Sequence, residues 1–85
     1  MNRQDLIDLF ARTAAEVTER EFPPIVEATV IAELGIDSLG MLEIIGSLER
    51  DLKIHIPDEN LATISTIKQL IDEVEARASA TSASR

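Results

Sequence analysis

Gly35-Ile36-Asp37-Ser38-Leu39, running on into Gly40-Met41-Leu42-Glu43-Ile44-Ile45-Gly46-Ser47-Leu48-Glu49-Arg50-Asp51-Leu52, carries the strongest helical signal in the chain. Leu42, Ile45, Leu48 and Leu52 recur at intervals of three or four, and Leu39, Met41 and Ile44 broaden the same face. This spacing predicts an amphipathic helix from Ser38 to Leu52. Asp37 or Ser38 caps it, and the pattern leaves the choice between them open. Gly35 stands just before, where a positive φ would be easily tolerated. A hydroxyl therefore sits at the mouth of a helix in a chain with no Cys, no Trp, no Tyr and one His. Such a chain has few ways of carrying out a reaction unaided, so Ser38 is read as the point at which borrowed chemistry is held.

Nearer the N-terminus, Leu6, Ile7, Phe10, Ala14 and Val17 repeat at helical spacing and predict a first helix from about Arg3 to Val17. Residues Glu19 to Thr29 break the pattern, and Pro23-Pro24 lack the donors and the free φ that a helix needs. A long ordered loop is expected there, pinned by Phe22, Ile25, Val26, Val30 and Leu34. Beyond the central helix, Ile54-His55-Ile56 reads as an extended connector whose isoleucines plug the core. Pro57-Asp58-Glu59 opens a short helical turn with Leu61 facing inward. Thr66-Ile67-Lys68-Gln69 has capping-box spacing, so a last helix should start there and run through Ile67, Leu70, Ile71 and Val74 to Ala76 or Arg77. The domain is accordingly placed at residues 1–77. Residues 78–85 hold small and polar side chains that cannot repay their ordering entropy, and a flexible tail is expected.

Eighty-five residues fit one small domain with a modest aliphatic core, in which Phe10 and Phe22 are the only large rings. Sixteen acidic against eight basic residues give a formal charge of −8 at pH 7, which repels nucleic-acid backbones and anionic membranes and favours basic protein surfaces. Solubility alone would also account for that charge. No apolar run is long enough to span a bilayer, and the first residues lack the basic-then-apolar pattern of an export signal. The absence of Cys excludes disulfides and thiolate metal sites. Together these features point to a cytoplasmic location.

Other chemistries find little support. A hydrolytic Ser38 would need Gly-x-Ser-x-Gly on a strand-to-helix elbow and a base, whereas the chain offers Ile36-Asp37-Ser38-Leu39-Gly40. His55 has no Asp, Cys or second His at ligand spacing. Asp58-Glu59 and Asp72-Glu73 are carboxylate pairs without a spaced calcium loop, so no metal site is expected. Glu33, Asp37, Glu43, Glu49 and Asp51 set carboxylates around the helix entrance and along its charged side. A phosphate ester on Ser38 would gain from the free amides and positive dipole end of the helix.

Glu33-Leu34-Gly35-Ile36-Asp37-Ser38-Leu39 with Met41-Leu42-Glu43-Ile44-Ile45 resembles the signature of acyl carrier proteins and peptidyl carrier domains, a Leu-Gly-aliphatic-Asp-Ser-Leu run entering an amphipathic helix. Leu48-Glu49, Ile54-His55-Ile56-Pro57 and Thr66-Ile67 extend the resemblance over residues 5–74. It implies an all-α four-helix bundle with a short third helix and a long loop between helices one and two. It further implies a non-catalytic, monomeric carrier whose Ser38 is esterified with 4'-phosphopantetheine, taken from coenzyme A by a phosphopantetheinyl transferase. The arm's thiol would hold acyl intermediates as thioesters, in fatty-acid, polyketide or related lipid synthesis, and its length would let one cargo reach several enzymes. An aminoacyl or peptidyl carrier of a nonribosomal pathway, or an unmodified helical adaptor, are the alternatives.

Two positions depart from that resemblance. Gly40 stands where many fatty-acid carriers have an acidic residue and Gly46 where they often have a bulky apolar one. Each glycine costs a helix about 1 kcal/mol relative to Ala if exposed. Simple drift is the bland reading of both; the functional one is that Gly46 opens a shallow spot for a close-docking partner or a different acyl pocket. By the same resemblance, Asp37, Leu39, Met41, Glu43, Glu49 and Asp51 are candidate contacts for basic patches on the transferase and on acyl-loading, synthase or acyltransferase enzymes. An acyl pocket is expected between the inner faces of helices two and four, from Leu42, Ile45, Leu48, Ile67 and Ile71, whose aliphatic side chains could part at modest packing cost.

Overall fold

The computed structural model describes residues 2–83, and side chains through Ala78. Its helices are α1 (Arg3–Thr18), α2 (Ser38–Leu52), α3 (Asp58–Leu61) and α4 (Ile67–Ala83), with a single 3-10 turn at Ile31–Leu34 in the long connection between α1 and α2. The expected four-helix architecture with a short third helix is therefore observed. α1 begins at a reciprocal cap: Asp5 N donates to Asn2 Oδ1 at 2.8 Å and Asn2 N to Asp5 Oδ2 at 3.3 Å. It ends where Glu19 turns left-handed, φ 54°.

The core is largely aliphatic and is drawn from α1, the 3-10 turn, α2, the connector after α2 and α4. Phe10, Ile44, Ile56, Ile67, Leu70, Ile71 and Val74 are the largest side chains fully closed to solvent, and Leu6, Ile45, Leu48 and Ile54 pack around them. Burying each such side chain stabilises the fold by about 1.5–3 kcal/mol. Ile54 and Ile56 plug the core as the alternation suggested, with His55 left exposed between them. Phe22, by contrast, is only partly buried, packed against the rim of the core.

The long connection is sewn to the start of α4. Ile31 N donates to Ser65 O at 2.9 Å, Ile67 N to Thr29 O at 3.0 Å and Lys68 N to Glu27 O at 2.9 Å. An isolated antiparallel bridge pairs Val30 with Thr66. Thr66 and Gln69 form the expected capping box: Gln69 N donates to Thr66 Oγ1 at 3.2 Å and Thr66 N to Gln69 Oε1 at 3.1 Å.

Three expectations are corrected. α4 runs to Ala83 rather than ending at Ala76 or Arg77. Extending an existing helix needs no new nucleus, and Ala78, Ala80 and Ala83 have the best helix propensity; residues 84 and 85 lie outside the described residues. Val26 is exposed rather than a plug of the long loop, at 55%. Leu42 is 56% exposed, not an inward member of α2. The buried side of α2 is centred on Gly40, Ile44, Ile45 and Leu48, and at 100° per residue Leu42 falls about a third of a turn away from that centre.

Candidate functional site

The turn that delivers Ser38 is built by local chemistry. The 3-10 turn stops at Gly35, which takes the left-handed conformation, φ 72° and ψ 25°, where a side chain would be strained. Asp37 then sits extended at the N-cap, with its Oδ1 accepting from Gly40 N at 2.7 Å and its carbonyl accepting from Met41 N at 2.9 Å. The choice between Asp37 and Ser38 is thereby resolved: Asp37 caps, and Ser38 is the first helical residue. Freed of the capping role, the Ser38 side chain is exposed at the positive end of α2.

Gly40 has a reason to be glycine. A Cβ there would stand 3.0 Å from Ile36 Cγ2 and 3.1 Å from Asp37 Oδ1, closer than ordinary contact. The capping carboxylate folds over the glycine backbone, and the missing side chain leaves it room. At Gly46 a Cβ would meet only the tip of Arg50, at 3.7 Å; no packing demand accounts for this glycine.

Beside Ser38 opens a groove of about 650 Å³. Met41, Leu42 and Ile45 of α2 form one side, Leu61, Ala62 and Ile64 the other, with Val30, Ile31, Ile36 and Leu70 along the base and Ser38 at the mouth. Of the residues expected to shelter a cargo, Leu42 and Ile45 line this groove. Leu48, Ile67 and Ile71 do not; they are closed in the core beneath it. The groove thus lies between α2 and the α3 segment rather than between α2 and α4. Sequence reading missed Leu61, Ile64 and Leu70 as walls, although it had turned Leu61 inward and placed Leu70 on the last helix.

The candidate docking residues separate into two groups. Leu39 and Glu43 are exposed beside Asp37, and these three border a smaller cleft on the other flank of α2 that Arg20 also lines. Met41 is half-buried in the groove. Glu49 does not belong to this surface: its side chain is 25% exposed, accepts from Ile56 N at 2.8 Å and lies 3.4 Å from His55 Nδ1. It holds the connector after α2 in place. Asp51 is exposed near the far end of the helix.

Residues 6–74 match the family described as the phosphopantetheine attachment site. The chain belongs to that family. Domains of this family are sites of covalent 4'-phosphopantetheine attachment, and they work with phosphopantetheinyl transferases and synthase enzymes. The carrier is also similar to a crystal structure of an acyl carrier protein from Thermotoga maritima, at 28% identity and a TM-score of 0.87, over 95% of each chain. The carrier's own residues fit the group: an exposed hydroxyl not used as a cap, the positive end of a helix for the phosphate, and an apolar groove at the same mouth. Among the described residues no helix is long and apolar enough to cross a membrane.

Proposed function

We propose that Ser38 is the residue to which 4'-phosphopantetheine is attached, and that the carrier ferries acyl intermediates in fatty-acid, polyketide or related lipid synthesis in the cytoplasm. When bound, the arm supplies a thiol on which an acyl group is held as an activated thioester. The chain itself holds the phosphate at the mouth of α2, shelters the cargo and is recognised by its partners. The observation that carries this reading is the exposed Ser38 bordering a groove whose walls are Met41, Leu42, Ile45, Leu61, Ile64 and Leu70. Asp58 and Ser65 also border the groove, but its lining is mostly apolar and favours an acyl cargo over an aminoacyl one, because burial stabilises a hydrocarbon by about 0.8 kcal/mol per methylene.

Leu39, Glu43 and Asp37 form the contact surface nearest Ser38, with Met41 at the groove and Asp51 farther down the helix. Basic patches on a transferase or synthase would meet Asp37 and Glu43 first, speeding encounter at low salt. Intact mass after incubation with coenzyme A and a broad-specificity phosphopantetheinyl transferase tests the assignment. The wild type gains one phosphopantetheine moiety and Ser38→Ala gains none. A wild type left unmodified by several competent transferases would mean an adaptor that keeps the fold without the chemistry.

A further inference from the structure

Arg20 joins the end of α1 to the turn that presents Ser38. It follows Glu19, whose left-handed φ of 54° ends α1, and its side chain reaches residues fourteen and fifteen positions on. Arg20 Nη2 donates to Leu34 O and to Gly35 O, both at 3.1 Å. The guanidinium carbon lies 5.0 Å from the centroid of the Phe22 ring, a cation–π distance that adds a second hold on it. A Cβ on Gly35 would stand 3.7 Å from both Nη1 and Nη2, so the guanidinium lies over the face that the glycine leaves bare. The two carbonyls close the 3-10 turn, where backbone acceptors lack helical partners and the dipole end is negative. A cation there is favoured twice over, by hydrogen bonds and by charge.

We infer that Arg20 is a positioning residue for the modification of Ser38, a clamp on the turn rather than a contact with the reacting atoms. Only Ile36 and Asp37 separate the clamped Gly35 from Ser38. With both carbonyls held, Asp37 keeps its cap on Gly40 N and the hydroxyl is presented in one place. Without the clamp, a transferase would have to order the turn as it binds, and that cost falls on affinity rather than on the chemical step. The inference rests on Ser38 being the attachment point.

The test is transfer kinetics with coenzyme A and a phosphopantetheinyl transferase, alongside amide exchange. Losing two charge-assisted hydrogen bonds in Arg20→Met should raise KM for the carrier about tenfold and leave kcat within about twofold. Arg20→Lys keeps a cation with three donors that can reach the same carbonyls, and should restore KM to within about threefold of wild type. Arg3→Met, which breaks the ion pairs of α1 with Glu27, Asp72 and Glu75 and leaves the Arg20 bonds in place, controls for stability and should keep the wild-type KM. A wild-type KM in Arg20→Met, or an equal rise in Arg3→Met, overturns the inference. Should Arg20→Met lose its helical signal, Phe22→Leu, which keeps an apolar side chain against the core and removes the ring beside the guanidinium, takes its place; a raised KM there supports the clamp and an unchanged one refutes it. Exchange of the Gly40 amide needs no transfer, and should quicken about tenfold in Arg20→Met and not in Arg3→Met; equal protection in both refutes the clamp. A wild type that accepts no phosphopantetheine defeats the carrier reading instead, and the exchange comparison then still decides the clamp.

Discussion

Gly40 and Gly46 lie in the same helix and have opposite reasons for being there. From sequence they were indistinguishable, because helical periodicity says nothing of what stands over a backbone. The capping carboxylate of Asp37 over Gly40 is a contact between side chain and backbone that only the fold reveals. Replacing glycine by alanine in a helix interior is worth about 1 kcal/mol in its favour. At Gly46 the only neighbour is the flexible end of Arg50, so Gly46→Ala should stabilise the carrier by about 0.5–1 kcal/mol. At Gly40 the new methyl presses on Ile36 and on the cap, whose loss alone costs about 1 kcal/mol. Gly40→Ala should therefore gain nothing or lose stability. Urea unfolding of the two variants distinguishes them; an equal gain at both sites would mean that the cap yields without cost. Glu49 teaches the same lesson, since its place on the charged side of α2 was legible but its bond to Ile56 N was not.

Among the elements, those carried by local rules were legible and those carried by distant pairing were not. The apolar repeat of α2, the capping box of α4 and the breaking of α1 before Pro23-Pro24 are written within a few residues of themselves. The stitching of residues 27–31 to residues 65–68 joins segments far apart in the chain, and the 3-10 turn owes its place to that stitching. For the same reason the groove moved. Periodicity identifies inward faces but not which of them meet at a gap, so Leu48, Ile67 and Ile71 were grouped with a pocket that Leu61, Ile64 and Leu70 line instead. Loading with an octanoyl chain should accordingly perturb methyl resonances of Ile45, Leu61, Ile64 and Leu70, and leave Leu48, Ile67 and Ile71 little changed. The opposite pattern would place the chain between α2 and α4, and shifts confined to the surroundings of Ser38 would place it outside the domain.

At the scale of the whole molecule, separate elements are gathered by Arg3, which pairs with Glu27 at 2.6 Å, Asp72 at 2.8 Å and Glu75 at 2.5 Å. One guanidinium thus ties α1, the long loop and α4. Hydrogen bonding to Arg3 holds the Glu27 carboxyl below its ordinary 4.5. Lys68 first and Arg3 second hold Asp72 below its ordinary 3.8, and Asn60 and then Arg77 lower Glu73. Carboxyls depressed in the folded state give stability that is present above their unfolded values and is lost as pH falls through the folded ones. The melting temperature should stay level above pH about 5 and decline below it. Arg3→Met should flatten that decline, because Glu27 and Asp72 then titrate closer to their unfolded values; thermal melts from pH 3 to 7 would show it, and an unchanged acid slope would exclude the clasp as its source. The effect will shrink with salt, since these groups are partly exposed. α3 stands outside this network of ties. It places no buried residue in the core, and Asn60 Nδ2 donating to Glu73 Oε2 at 2.9 Å is its side-chain link to α4. The groove therefore has a firm wall of packed helix and a yielding one. Were the proposed acyl cargo to enter, a rigid tunnel would measure its guest and reject whatever overran it; a wall that gives way a little for each added methylene would behave as a buffer, accepting the successive members of a growing series with gradually rising resistance and no sharp limit.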